Sequence, residues 1–598
     1  MGAGSSPQGL FWRVFRGFPQ GLGPVWKRDH NILLDTARRM RMKSRLVKRT
    51  LRLVALLLFC VLTFAVRCHN LRDVFIDGRV YFVDPDCYSR MTRARMVAEH
   101  PGMIVRHHDF ENHPQGVKSH TTAPLDYLIV AGKTVMDAGF AVFDSGKTSV
   151  LHGQTLDLAG ALVGPLLGVL GAVFLAVWAW ALRLRFWGMA LLLYAVCPIL
   201  VHGTLLGRPD HQALLVVLLM VAVGAEIALA RKAAAPAPSD GVSLRSWGMV
   251  SGVAWALSLW VSFYEPLILL GVVLVLWLAL DRRALFAPPR RAGWITFAAI
   301  LAVAFLLEGW RIETPDAAMR EYFGRWKASI GELAHLDLRS PMLFRWLGWT
   351  VLAAPVCLIL RRKSDRVGLP LLALFVVTLG LTVWQIRWGY FLAAVFVLAL
   401  PIFMPAWRKA WVAWLVFVIA LWPVAQDWDA RLFPNAAAQQ NLAMKRAEAV
   451  ALRSIVSGKT GENGGPFLAP WWLSPSIAYW TGQPGVAGSS HESLPGTVDA
   501  ARVYLAADAE AALPILRARG VAWILSDAPE RVVPTSAALL GVAPPEKCLA
   551  QELARHFREE PWSSSIIPET GLARPLGNDF FQVWRVQAEP AAASVPAP

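Results

Sequence analysis

The stretch LRLVALLLFCVLTFAV, running from Leu51 to Val66, decides how the chain is read. It is apolar over a length approaching the roughly 17 to 25 residues of a membrane-crossing helix. It follows an arm, residues 1–50, that contains Arg38, Arg39, Arg41, Lys43, Arg45, Lys48 and Arg49. Such an arm is far longer than the basic start of a cleaved signal peptide, so the stretch is expected to stay as an anchor. Similar stretches recur near 158–182, 186–203, 211–230, 246–263, 266–281, 293–309, 344–360, 368–386, 388–406 and 409–424. They make about eleven in all, some marginal in length. The 598 residues are 55% hydrophobic and 17% charged, with 27 Trp and 28 Phe. So apolar a chain is neither a disordered tail nor a collagen, and as a soluble single domain it would need an improbably large core. Lipid is its natural solvent.

The net charge of +17, from 59 Lys+Arg against 42 Asp+Glu, would suit nucleic acid if it were clustered, but the positive residues sit between the apolar stretches. No nucleic-acid partner is expected. With the arm in the cytosol, alternation places Arg183/Arg185, Arg231/Lys232/Arg245, Arg282/Arg283/Arg290/Arg291, Arg361/Arg362/Lys363/Arg366 and Arg408/Lys409 on that same side. Each segment is basic, as the positive-inside rule requires. The outer side then receives the loops 67–157 and 310–343, everything after about 425, and short turns at Gly207 to Gln212, Tyr264 to Pro266 and Arg387. The expectation is a multi-pass protein of a bacterial inner membrane, N-terminus cytosolic and C-terminal region periplasmic.

The chain thus divides into the arm 1–50, a transmembrane region 51–424, an external region 425–587 and a flexible tail 588–598. The external region carries a helical stretch (Ala437 to Val456), a Gly-rich break (Gly461 to Gly465) and short apolar runs such as Val521 to Leu525 and Phe580 to Val586. Alternating helix and strand signals predict a small α/β domain. Of six cysteines, Cys60, Cys197 and Cys357 lie in apolar runs, Cys68 and Cys87 in the first outer loop, and Cys548 near the end. No CxxC pair exists, which argues against a zinc ribbon or redox motif. A Cys68–Cys87 disulfide is open if that loop faces an oxidising compartment.

Acidic residues gather on the outer side. VDPDCYSRMTR (Val83 to Arg93) holds Asp84 and Asp86, HGTLLGRPDHQ (His202 to Gln212) holds Asp210 and His211, and KASIGELAHLD (Lys327 to Asp337) holds Glu332. Carboxylates from three loops can converge on a hard divalent cation such as Mg²⁺ or Mn²⁺, which would neutralise a phosphate leaving group. The competing reading of each alone is an interfacial residue beside lipid headgroups. Arg387, in TVWQIRWGYF, suits a lipid phosphate because its guanidinium forks onto phosphate oxygens, or else it snorkels within a belt of Trp384, Trp388 and Tyr390. Glu265 and Glu308 also lie near outer span ends, whereas Glu226, beside Arg231 near an inner end, reads as snorkelling.

Other features read as bland. FDSGKTS (Phe143 to Ser149) lacks the leading glycine of a P-loop, with Ala141 in its place, and falls on the wrong side for ATP. His107, His108, His113 and His120 lack a regular ligand spacing and read as polar surface. Trp471 and Trp472 make either a stacking platform or core packing.

In order, these segments resemble the GT-C membrane glycosyltransferases, and within them the catalytic subunit of oligosaccharyltransferases, the PglB and AglB group. Asp86-Cys87-Tyr88 with Arg90 and Arg93 resembles the first-loop aspartate motif, and DFENHPQG (Asp109 to Gly116) the segment that follows it. GRPDHQ resembles the second-loop motif, SIGE (Ser329 to Glu332) the fifth-loop motif, QIRWGYF the late-span arginine segment, and PWW (Pro470 to Trp472) the start of WWDYG. The resemblance implies a GT-C fold of about eleven to thirteen transmembrane helices with an external α/β domain. It implies transfer of a glycan from a polyprenyl-(pyro)phosphate carrier to a protein or glycan acceptor. It further implies a divalent metal (Mg²⁺ or Mn²⁺) at Asp86, Asp210 and Glu332, with Asp86 and Glu332 catalytic. Arg387 would hold the lipid phosphate, Trp471 and Trp472 would meet the acceptor, and Asp84 and His211 would flank the site. Two positions depart from the family. Leu473 stands where WWDYG has its aspartate, and Gln212 stands where the second loop usually offers a carboxylate or histidine. The acceptor therefore stays open among Asn, a Ser/Thr hydroxyl, a lipid and a growing glycan. Alternatives are a transporter or flippase of lipid-linked glycans, which calls for midplane charges and repeated halves that are not evident, and a catalytically silent binding relative.

Overall fold

The computed structural model describes residues 47–143, 152–233, 241–311, 317–361, 367–406, 409–458, 464–559, 572–577 and 580–586. The basic arm before residue 47, Asp144 to Ser149 of the P-loop-like stretch, most of the Gly461 to Gly465 break and the tail 588–598 lie outside the described residues.

Every apolar stretch is helical, and the molecule is a polytopic α-helical membrane protein. Among the described residues, six helices are long and apolar enough to cross a bilayer unbroken: Val47–Arg67, Thr155–Ala181, His211–Ala233, Tyr264–Arg283, Pro288–Glu308 and Ile386–Phe403. Ala410–Ala420 and Trp422–Leu432 make a seventh if that pair, bent by 45°, counts as one span. Of the other expected spans, 246–263 lies largely in the continuous helix Gly241–Val261 and 368–386 in the 17-residue helix Gly368–Trp384, while two are interrupted for identifiable reasons. Pro198 splits Trp187–Val196 from Pro198–Gly203. Gly348, at φ +69°, separates Met342–Leu347 from Thr350–Arg361.

Two devices join helices within the bundle. Gly248, Gly252 and Gly293 let Gly241–Val261 and Pro288–Glu308 approach backbone to backbone, because a Cβ at Gly252 would collide with the Gly293 carbonyl. Glu226 does not snorkel beside Arg231. It is buried and ion-paired with Arg290 at 2.5 Å, accepting also from Ser251 Oγ (2.6 Å) and Trp277 Nε1 (2.8 Å), so four helices meet at one carboxylate. A buried charge is tolerated when it is paired and its lone pairs are filled, and both conditions hold here.

The first long loop contains two helices, Pro85–Glu99 and Pro124–Phe143. Arg90 and Arg93 join them through the fully buried Asp126, at 2.7 and 2.9 Å. Cys68 and Cys87 are free thiols, so the disulfide left open by the sequence is not formed. Cys87 is packed into a core with Tyr88, Met91 and Leu125.

The C-terminal part builds a four-stranded sheet in the order Phe467–Leu468, Trp523–Ser526, Gln582–Val586, Leu572–Gly577. The first pair is parallel, with Phe467 opposite Trp523, and the others are antiparallel. Parallel strands need a crossover, and the helices Ser474–Thr481, Leu494–Tyr504 and Ala509–Ala518 lie within it. Alternation along the strands sorts the core. Phe467, Trp523, Leu525 and Val583 pack with Ile477 and the end of helix Ala436–Val456. Leu468, Ile524 and Trp584 pack with Val503, Leu516 and Leu553 on the other side.

Candidate active site

Each acidic residue is delivered by a short, locally determined device. Asp84 caps helix Pro85–Glu99 by accepting from the Cys87 N–H at 3.0 Å, and Pro85 pre-sets the first turn, leaving Asp86 in that turn. Asp210 immediately precedes helix His211–Ala233. The turn before it closes because Gly207, at φ +73°, sits where a Cβ would lie 2.7 Å from Val74. Glu332 lies in the 3-10 turn Gly331–Leu333. Its loop is tied by the Ile386 N–H to the Ala334 carbonyl (2.9 Å) and the Leu336 N–H to the Val383 carbonyl (3.0 Å). Those bonds set Glu332 beside the segment that carries Arg387.

The centre of the cluster is Arg208, buried at 4% exposure. Its guanidinium lies 3.3 Å from Asp84, 3.5 Å from Asp210 and 2.7 Å from Glu332. It also donates to the Tyr390 hydroxyl at 3.2 Å, and that hydroxyl donates to Glu332 at 3.2 Å. Arg387 pairs with the buried Glu265 at 2.6 Å, and its Nε is a buried donor with no hydrogen-bond partner. His211 Nδ1 is 2.6 Å from Asp210 Oδ1.

The electrostatics follow from this crowding. Asp86 is exposed, yet its carboxyl is raised to about 7, first by loss of hydration and then by Asp84, Asp210 and Glu332. The like charge of three neighbouring carboxylates disfavours its ionised form. Burial also raises Asp84, with Arg208 opposing. Burial acts to raise Asp210 and Glu332, but His211 and Arg208 at the first, and Arg208 at the second, outweigh it and hold both below the ordinary carboxylate range.

Asp84, Asp86, Asp210, Glu332, Arg387 and His211 thus share one electrostatic neighbourhood. Trp471 and Trp472 do not join it. Both are half-buried against the C-terminal core, and Trp471 meets Trp326 edge-on with ring centres 6.2 Å apart. DFENHPQG serves as a docking segment: Arg519 donates to Asn112 Oδ1 (3.1 Å), the His113 carbonyl (3.0 Å) and Gln115 Oε1 (2.6 Å).

Sequence reasoning passed over Arg208, Glu111 and Ser489. Glu111 is buried and accepts from Ser89 and Ser490, each at 2.7 Å. Ser489 Oγ lies 3.4 Å from Ser89 Oγ, on the helix that carries Asp86. Only the GRPD motif could have flagged Arg208; nothing local marks the serines.

The donor chemistry is that of a hard divalent ion, but Asp86, Asp210 and Glu332 do not bring three donor atoms within 4.8 Å of one another here. The carboxylates are all-oxygen ligands in excess of their cations, and Gln212 Oε1 is a buried acceptor with no hydrogen-bond partner, two residues from Asp210. Gln212 thus offers oxygen where a carboxylate was expected.

Among solved structures, the chain is similar to the Archaeoglobus fulgidus oligosaccharyltransferase complexed with Zn and sulfate, with a TM-score of 0.61 at 14% identity over 83% of this chain and 70% of that one. It is similar to the same organism's AglB with an inhibitory peptide and a dolichol-phosphate, with a TM-score of 0.60 at 14% identity over 83% and 71%. It is also similar to apo ArnT from Cupriavidus metallidurans, with a TM-score of 0.50 at 12% identity over 88% and 97%. No protein-family model and no curated protein matches the sequence. These likenesses show a GT-C fold resembling that of the oligosaccharyltransferase catalytic subunit.

Proposed function

We propose that this GT-C membrane protein is a glycosyltransferase that moves a sugar or oligosaccharide from a polyprenyl-(pyro)phosphate carrier to an acceptor on the extracytoplasmic side. The observation that carries the reading is the meeting of carboxylates from three loops, Asp84, Asp210 and Glu332, around Arg208, with Asp86 in their electrostatic neighbourhood. The dolichol-phosphate complex of a protein of similar fold supports a lipid-phosphate donor, and the Zn complex supports a divalent ion.

In the reaction the bond between the anomeric carbon and the phosphate oxygen breaks, and a bond from that carbon to the acceptor forms. Negative charge develops on the departing phosphate, and a pre-placed cation stabilises it at no reorganisation cost. Arg387 is placed for this, with its Nε–H free and its charge balanced by Glu265. Asp86, Asp210 and Glu332, with Gln212 Oε1, would hold a divalent ion such as Mg²⁺ or Mn²⁺, which supplies Lewis-acid charge at the phosphate when bound. Asp86, exposed beside the cluster, orients the acceptor nucleophile. Arg208 keeps Asp210 and Glu332 ionised and in register. Leu473 in place of an aspartate points away from strict recognition of an asparagine sequon, and Trp471 and Trp472, packed against the C-terminal core, stand apart from the acid cluster.

The test is glycan transfer from a lipid-linked donor in membranes containing the full chain. Asp86→Ala and Glu332→Ala are expected to lower the rate by about 10²-fold or more, and stripping divalent ions is expected to abolish it. Full activity in either variant, or after chelation, would remove the mechanism.

A further inference from the structure

A second constellation lies away from the acid cluster. His120, a loop histidine without regular spacing to its neighbours, is brought to His491 and Glu492 across more than 370 positions of sequence. His120 Nδ1 is 2.6 Å from Glu492 Oε1, His491 Nδ1 is 3.4 Å from Glu492 Oε2, and the two imidazole centres are 4.7 Å apart. One donor atom from each of the three lies within 4.8 Å of the others, and among the described residues no other group of His, Cys, Asp and Glu meets that condition. Glu492 is 7% exposed, and its Oε2 is buried without a hydrogen-bond partner. The two histidines keep an open side, at 47% and 25% exposure.

We infer that His120, His491 and Glu492 form a zinc site that clasps the first outer loop to the C-terminal α/β region. Two imidazoles and one carboxylate are a ligand set that Zn²⁺ accepts, with water in the fourth position. Nitrogen donors disfavour Mg²⁺, which demands oxygen. The backbone already approaches the required arrangement, since the His120 N–H donates to Glu492 Oε1 at 2.8 Å and fixes the loop against the 3-10 turn His491–Ser493. The clasp has a functional address. Ser490, next to His491, donates to Glu111, and Ser489 Oγ lies 3.4 Å from Ser89 Oγ on the helix that carries Asp86. Holding His491 and Glu492 therefore holds the stretch of chain that packs against the helix carrying Asp86. The site stands on its own residues and does not depend on the chemistry assigned to Asp86.

The experiment is titration of chelator-stripped, full-length protein in detergent with Co²⁺ as a visible stand-in for Zn²⁺. One equivalent of the strong ligand-field absorption of a tetrahedral, nitrogen-containing site is expected, with displacement by Zn²⁺. His120→Ala and His491→Ala should lose the band, and Glu492→Gln should weaken Co²⁺ binding by at least about 10-fold, the scale seen even for outer-shell partners. Asp86→Asn and Glu332→Gln should retain it, which separates this site from the acid cluster. Each variant is compared with the wild type by elution volume, so that misfolding is recognised, and Glu492→Gln preserves size and hydrogen bonding where an alanine variant fails to fold. Absence of the band in the wild-type protein overturns the site. So does its survival in both histidine variants, or its loss in Asp86→Asn instead.

Discussion

Arg208 is adjacent in sequence to Pro209 and Asp210 and reads there as one more charge in a polar turn, yet it is the hub on which three loops close. Asp86, Asp210, Glu332 and Arg387 were legible because carboxylates and an arginine at span ends are costly and need a reason. Arg208 was not, because its meaning lies in Glu332, more than 120 positions away. Glu111 was hidden for the same cause: its partners Ser89 and Ser490 belong to two other segments. Burial raises the Glu111 carboxyl above its ordinary range, against the hydrogen bonds from both serines. The folded chain therefore holds this proton to higher pH than the unfolded chain. Its contribution to stability is full below the unfolded value of about 4.3 and is lost as pH rises through the folded value. Glu111→Gln keeps a hydrogen-bonding group without the charge, so its thermal midpoint should fall less than the wild type's as pH is raised from about 4.3. Parallel midpoint-against-pH curves would show that Glu111 is not the group responsible.

At the scale of elements, apolar runs predicted helices well because a backbone in lipid must satisfy its own hydrogen bonds. They predicted the lengths of spans poorly, since Pro198 and Gly348 interrupt otherwise continuous runs. The strands Trp523–Ser526 and Gln582–Val586 fell within the expected apolar runs. Their antiparallel pairing was not legible, because helices Pro529–Leu540 and Leu549–Glu559 separate them in sequence and no hairpin turn marks the register. The Glu226–Arg290 pair shows why a sequence neighbour is a weak guide to a partner: Arg231 is close in the chain, but Arg290 faces the same buried point from another helix. Glu226→Leu should strand Arg290 among buried side chains and destabilise the protein in detergent by about 3–5 kcal/mol. The Glu226→Leu/Arg290→Leu double variant should recover most of that loss. Equal thermal midpoints in wild type and Glu226→Leu would mean that the pair contributes nothing net.

At the scale of the molecule, the order of six short motifs anticipated the GT-C fold more firmly than any one motif did, and the structural likenesses bear out that fold. We propose from the charge alternation that the acid cluster and the α/β region face the extracytoplasmic side. A single cysteine placed at Glu546, an exposed position, in a chain whose other cysteines are replaced, should react with a membrane-impermeant maleimide in intact spheroplasts. Labelling only after lysis would invert the topology and the proposed acceptor with it.

The most direct test of the central claim compares cells carrying the wild-type chain with cells carrying Asp86→Asn, measuring lipid-linked glycans and extracytoplasmic glycoconjugates together by mass spectrometry. A transferase built on this acid cluster predicts that the variant loses a glycoconjugate and accumulates the matching polyprenyl-linked donor on the outer leaflet. Unchanged pools of both, or a donor trapped on the cytosolic leaflet, would contradict it.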